Sequence, residues 1–158
     1  MRNLIHLLPL IFLVSCFKED STIYRAYLEN ATDYGIVVLP FKNGVVLSMD
    51  TLKLIPNQTL LIAEGSDRGI QNQGGFFSNY FSNNGDDSGL IIFDNTYIVS
   101  HYGNLPTTLA RKYVLYNSTR NIFNYLSYDY TYKDINKHLR EATYRYTFVD
   151  SDYQFAKQ

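Results

Sequence analysis

The sequence predicts an all-β protein, a single antiparallel β-sandwich domain with long Gly/Asn-rich loops and a short C-terminal helical turn. Three observations carry that expectation. Tyrosine occurs 15 times and phenylalanine 10 times while tryptophan is absent, and such side chains favour the pleated, half-buried surface of a strand. Apolar and polar residues alternate near both ends: Tyr24, Ala26 and Leu28 against Arg25 and Glu29, then Tyr144, Tyr146 and Phe148 against Thr143, Arg145 and Thr147. That period of two marks half-buried antiparallel strands. Turn signals recur at intervals of about eight to twelve residues, and no strand alternates with a helix as a parallel sheet would require.

The chain opens on a segment that does not belong to the sandwich. Arg2 supplies a positive start, residues 4–14 an apolar run of eleven, and small Ser15 precedes Cys16, the only cysteine; this is the layout of a secretory signal. A helix of that length covers about 16 Å, roughly half a bilayer's hydrocarbon core, so it is too short for a permanent span. Leu13-Val14-Ser15-Cys16 resembles the lipobox of bacterial lipoproteins. The resemblance implies removal of residues 1–15, a diacylglyceryl group on the Cys16 thiol and an N-acyl chain on the new terminus, with no other cofactor. At about 0.8 kcal/mol per buried methylene, three long chains hold such a protein on its membrane. Next come Lys18, Glu19 and Asp20, which resemble the export tag of Bacteroidetes-type lipoproteins and imply display at the cell surface. The inner leaflet of the outer membrane stays open, since charge after a lipid also serves solubility. Residues 16–22 are expected to form a flexible lipidated tether, having little apolar area to bury, and residues 23–158 the domain.

Beyond the first strand, Asp33-Tyr34-Gly35 reads as a turn before a strand at 36–39, and Asn43-Gly44 as a turn before one at 45–47. Inward parity changes between Leu47 and Leu52, which predicts a turn or bulge near Met49-Asp50. Strands at 52–55 and 59–63 flank Pro56-Asn57-Gln58, and strands at 90–93 and 97–102 flank Asp94-Asn95-Thr96, a tight hairpin signal. Residues 65–89, rich in Gly, Asn and Ser, read as a long loop; a second irregular stretch runs from 103 to about 121. A helical turn is predicted over 150–157, capped by Asp150 or Ser151.

Removing the signal leaves about 143 residues, enough for one core, with 13 basic residues against 15 acids. That balance excludes an electrostatic nucleic-acid binder, and the lack of further cysteine excludes a disulfide framework. Leu28-Glu29-Asn30-Ala31-Thr32, Asp50 through Pro56, Ile91-Ile92-Phe93-Asp94-Asn95, Arg120-Asn121-Ile122-Phe123-Asn124 and Tyr144 through Phe148 followed by Asp152-Tyr153 resemble a family of small Bacteroidetes-type surface lipoproteins of unassigned biochemical function. These are strand and turn signatures, and the resemblance brings no catalytic residue.

Chemistry-bearing residues are few. His101 alternates with Tyr97 and Val99, the position of a hydrogen-bonded structural histidine, and His138 lies in a charged stretch. Asp86-Asp87-Ser88-Gly89 resembles the nucleophile loop of trypsin-like proteases but lacks its partner motif, and Asn83, Asn84, Asp86 and Asp87 could offer oxygen ligands to calcium without EF-hand spacing. Two aromatic clusters are candidate recognition surfaces: Phe76, Phe77, Tyr80 and Phe81 in the long loop, and Tyr128, Tyr130 and Tyr132 beyond it. The stronger reading is structural: Phe76, Phe77 and Phe81 as a cap on the sandwich core, and the alternating tyrosines as one face of a strand. Asp20-Ser21-Thr22 and Asp50-Thr51-Leu52 resemble O-glycan acceptor patterns of the same bacterial group, Ser21 being the better placed if the tether is exposed. The expected function is a non-enzymatic interaction module, lipid-anchored at the outer membrane, with a protein or glycan partner. Two alternatives stand beside it: a hydrolase or calcium-assisted enzyme using Asp86, Asp87 and His101, and a purely structural envelope protein.

Overall fold

The computed structural model describes residues 19–42, 45–46, 48, 51–69, 88–102 and 110–158. Among them the protein is all-β: two sheets with one short helix at the C-terminal end. Alternation builds the first sheet. In β1 (Ser21–Asn30) Thr22, Ala26, Leu28 and Asn30 are buried, and in β10 (Leu139–Phe148) Ala142, Tyr144, Tyr146 and Phe148 are. The residues between them face the other way and pair by charge across strands. Arg25 meets Glu64 of β5 (Thr59–Arg68) at 2.6 Å, and Arg145 meets Glu29 at 3.0 Å. The order is β5-β1-β10-β9, with β9 (Asp129–Asn136) at one edge.

Strand direction departs from the purely antiparallel expectation. β1 and β10 run parallel from Ser21 opposite Leu139 to Asn30 opposite Phe148, and β7 (Tyr97–Tyr102) is parallel to β8 (Lys112–Val114). The sandwich is therefore mixed. A parallel pair needs a long crossover, and for β1 and β10 the entire second sheet lies within it. Side chains alternate in the same way in both kinds of ladder, so the sequence pattern carries no information about direction.

The second sheet runs β3-β2-β6-β7-β8, built on β2 (Ile36–Lys42) and β6 (Ser88–Phe93). Two short strands share the edge of β2: β3 (Val45–Val46) pairs with its end and β4 (Leu52–Leu54) with its start. The break between them falls where inward parity changes; Met49 and Asp50 themselves lie outside the described residues, as do Asn43 and Gly44. The hairpin between β6 and β7 has Asp94 and Asn95 at φ 51° and 53°, with the Thr96 N–H donating to the Phe93 carbonyl at 2.9 Å, the left-handed pair that suits a right-twisted hairpin. Unlike the first sheet, this one is apolar on both sides. Ile91 and Phe93 enter the core between the sheets, while Leu90 joins Phe41 and Ala110 in a second cluster on the opposite face.

Several boundaries shift. β1 begins at Ser21, and both of its edges are already paired there: the Ser21 N–H donates to the His138 carbonyl at 2.8 Å, and Thr22 Oγ1 to the Gly69 carbonyl at 2.9 Å. β5 reaches Arg68 and β6 begins at Ser88, so residues 65–68 and 88–89, predicted as loop, are strand; residues 70–87 lie outside the described residues. Gly65, which reads as loop, is a strand residue with the Tyr24 ring laid against it; a Cβ there would come within 2.6 Å of the Tyr24 hydroxyl. The stretch predicted as irregular contains β8. The helix α1 (Asp150–Lys157) forms where predicted, but its cap is Val149, whose N–H donates to the Asp152 carboxylate at 2.9 Å.

Two buried asparagines explain short motifs singled out in the sequence. Asn30 Nδ2 donates to the carbonyls of Tyr34 (2.7 Å) and Ile55 (3.1 Å) while Oδ1 accepts from Thr32. Asn121 Nδ2 donates to the Val114 carbonyl (3.0 Å) and its Oδ1 accepts from the Phe123 N–H (2.8 Å). Each substitutes side-chain bonds for a backbone ladder that the loop lacks.

Candidate functional site

Cys16, Lys18, Phe76, Phe77, Tyr80, Phe81, Asp86 and Asp87 lie outside the described residues. Glu19 and Asp20 are described, and both are engaged by the body: Glu19 with Arg68 at 3.3 Å, Asp20 with His138 Nδ1 at 2.6 Å. The acids of the predicted export signal thus sit against the start of the sandwich. Ser21 belongs to β1 and is half-buried, and Thr22 is buried, so the acceptor pattern at Asp20-Ser21-Thr22 falls in a strand and not in an exposed tether.

His101 is buried, and its Nδ1 accepts the Ile122 N–H at 3.1 Å, which leaves the proton on Nε2. Burial, reinforced by the nearby Arg120 guanidinium, pulls its pKa down to about 3. It is the hydrogen-bonded structural histidine that its strand position suggests. Ser88 is also buried, paired opposite Phe41 and Tyr102 inside β6, far from the exposed strained turn that a serine nucleophile needs. Among the described residues no cluster of His, Cys, Asp and Glu has metal-site geometry, and no helix is long and apolar enough to cross a membrane.

The tyrosine cluster divides. Tyr128 is core, 3 % exposed, its hydroxyl donating to the Ile122 carbonyl at 2.9 Å and its ring 5.5 Å from Tyr146; it does not belong to a recognition surface. Immediately before it, the Tyr125–Ser127 turn capped by Asn124 swings the chain into β9. Tyr130 is half-buried, 5.0 Å from Tyr144 and 6.0 Å from Tyr132. Tyr132 is 56 % exposed, with the Arg140 guanidinium 4.0 Å from its ring, and Arg140 is itself held by Asp134 at 2.7 Å. The result is a graded row, from buried Tyr144 to open Tyr132, in which the cation over the Tyr132 ring is paired with Asp134. It lies on an edge strand in which seven of eight residues are exposed.

A second concavity, absent from the sequence-based expectations, lies at the other end of the sandwich. A pocket of about 370 Å³ opens between the start of β7, the residues entering β8 and the last turn of α1, lined by Arg111, Lys112, Lys157 and Gln158 together with Tyr97, Ile98 and Ala156. Arg111-Lys112 is a weak signal in the sequence. Its convergence with Lys157 comes only from folding α1 back over β7.

Comparison with protein-family models, with curated proteins and with solved structures finds no match to this chain.

Proposed function

We propose that this chain is a non-enzymatic interaction module, anchored to the outer membrane through lipid on Cys16 and displayed at the cell surface, with the Tyr130–Tyr132 edge as its contact face. One observation carries the reading: an aromatic row on an edge strand that has no partner on its outer side among the described residues. Exposed tyrosine offers rigid contact area at low entropic cost. The free edge of β9 offers a ladder of N–H and C=O groups that an extended segment can join, and alternate side chains then select it. A protein partner presenting an extended strand fits both features; a glycan would use the rings alone. The lipobox resemblance at residues 13–16 and the Lys18, Glu19 and Asp20 tag support the location.

Affinity capture from intact cells, comparing the lipidated wild type with a Tyr130→Ser, Tyr132→Ser variant of equal melting behaviour, tests this. A protein or glycan retained by the first and lost from the second is the expected result. Identical capture by both would end the assignment of this face, and release of the chain from the membrane fraction unaltered by Cys16→Ala would end the anchor.

A further inference from the structure

We infer that the pocket between β7, β8 and α1 is a binding site for a compact soluble ligand bearing a phosphate group, such as a sugar phosphate. The charge pattern points there. Among the described residues every arginine but Arg111 is ion-paired: Arg25 with Glu64, Arg68 with Glu19, Arg120 with Asp152, Arg140 with Asp134 and Arg145 with Glu29. In a chain of net charge −1, acids for a further pair are not scarce, yet no acidic side chain enters the wall of this pocket. Three cationic residues and the α-carboxylate of Gln158 share this wall, which leaves it net positive and attractive to an entering anion.

The cations are held without being neutralised. The Lys112 ammonium stands 5.7 Å over the Phe155 ring and the Lys157 ammonium 6.0 Å over the Tyr153 ring, contacts that orient a charge while leaving it whole. Arg111 adds a planar fork suited to two phosphate oxygens. The volume lies at the low end of the range for small-molecule sites, about 300–1,000 Å³, which admits a phosphorylated sugar. The last-turn carbonyls of α1 carry partial negative charge; they disfavour a bare anion and favour one that brings hydroxyl donors of its own. Tyr97, which also packs against the core between the sheets, adds an aromatic ring to the lining on which a sugar face can rest.

Phosphate could also come from a lipid headgroup, and strand direction decides against that source. β1 leaves the tether at Ser21 and reaches Asn30 beside Phe148, directly before α1. Ten residues at about 3.3 Å each put the pocket roughly 30 Å from the tethered end, on the pole facing away from the membrane if Cys16 is the anchor.

Calorimetric titration of the lipidated chain in neutral detergent, at low salt, tests the site with glucose 6-phosphate, glucose and inorganic phosphate, and with glycerophosphoglycerol, the water-soluble headgroup of phosphatidylglycerol. Glucose 6-phosphate should bind more tightly than phosphate alone and glucose should not bind. Arg111→Gln with Lys157→Gln should weaken binding at least about tenfold with an unchanged melting curve. Three results would each overturn the inference: no heat with glucose 6-phosphate, affinity unaltered in the double variant, or binding confined to glycerophosphoglycerol.

Discussion

Arg120 and Arg140 have the same partners by type: each lies over a tyrosine ring and each is held by both oxygens of an aspartate. Arg120 stands 4.7 Å over Tyr146 and pairs with Asp152; Arg140 stands 4.0 Å over Tyr132 and pairs with Asp134. Arg140 is even the better covered of the two, its side chain 15 % exposed against 39 %. The partners differ instead. Tyr146 is fully buried and Asp152 17 % exposed, while Tyr132 is 56 % exposed and Asp134 53 %. Arg120 also donates to the Thr147 carbonyl (2.9 Å), and its own carbonyl accepts the Tyr146 hydroxyl (2.8 Å); burial pushes that phenol's pKa up. Asp152 meanwhile caps α1 through Val149. The first constellation therefore ties a loop, a central strand and a helix together across 32 residues, whereas the second spans six within one hairpin. An arginine's contribution depends on what its partners hold in place and how far they have left water, more than on its own burial.

The scale is set by the core beneath Arg120. Phe148 is 1 % exposed and packs edge-on against Phe93 and Tyr146, so Phe148→Ala should cost about 3–5 kcal/mol in urea melts. Thr147→Ala, on the outward face, should cost far less, and comparable losses would contradict the pleat. Next comes pH. His101 is neutral in the folded state and its pKa is lowered from 6.5 to about 3, so only the unfolded chain takes up the proton in that interval. Its contribution is complete above about 6.5 and falls by up to roughly 1.4 kcal/mol per pH unit toward 3. Carboxylates titrate in the same range, so the check is the difference between wild type and His101→Gln, whose amide oxygen can still accept the Ile122 N–H. An unchanged slope would remove His101 as a source. Asp152→Ala should cost about 2–3 kcal/mol, less than a fully buried pair because Arg120 stays partly hydrated. Asp134→Ala and Tyr132→Ala should leave the denaturation midpoint essentially unmoved, with Tyr132→Ala weakening partner capture alone. If Asp134→Ala destabilised as much as Asp152→Ala, the comparison between the two arginines would fail.

Much of the fold was legible because burial and pleat share a period of two. The faces of β1 and β10, the Asp94-Asn95 hairpin, the parity break before β4 and the position of α1 all follow from local chemistry. Gly65 and the residues of β8 were not legible: a glycine under a tyrosine ring and a three-residue strand both look like loop. Of the site, the tyrosines of β9 could be read as one strand face, but alternation alone could not separate buried Tyr128 from open Tyr132. That depends on where β9 emerges from beside β10 and reaches the edge.

By itself the sequence determined the class of fold and which side chains share a face, because each rests on neighbours along the chain. Only the tertiary structure decided that the first and last strands lie parallel at the centre of one sheet, that Arg120 finds Asp152, and that Arg111, Lys112 and Lys157 surround one pocket. Those pairings join residues tens of positions apart, and no periodicity records which distant segments the chain will bring together.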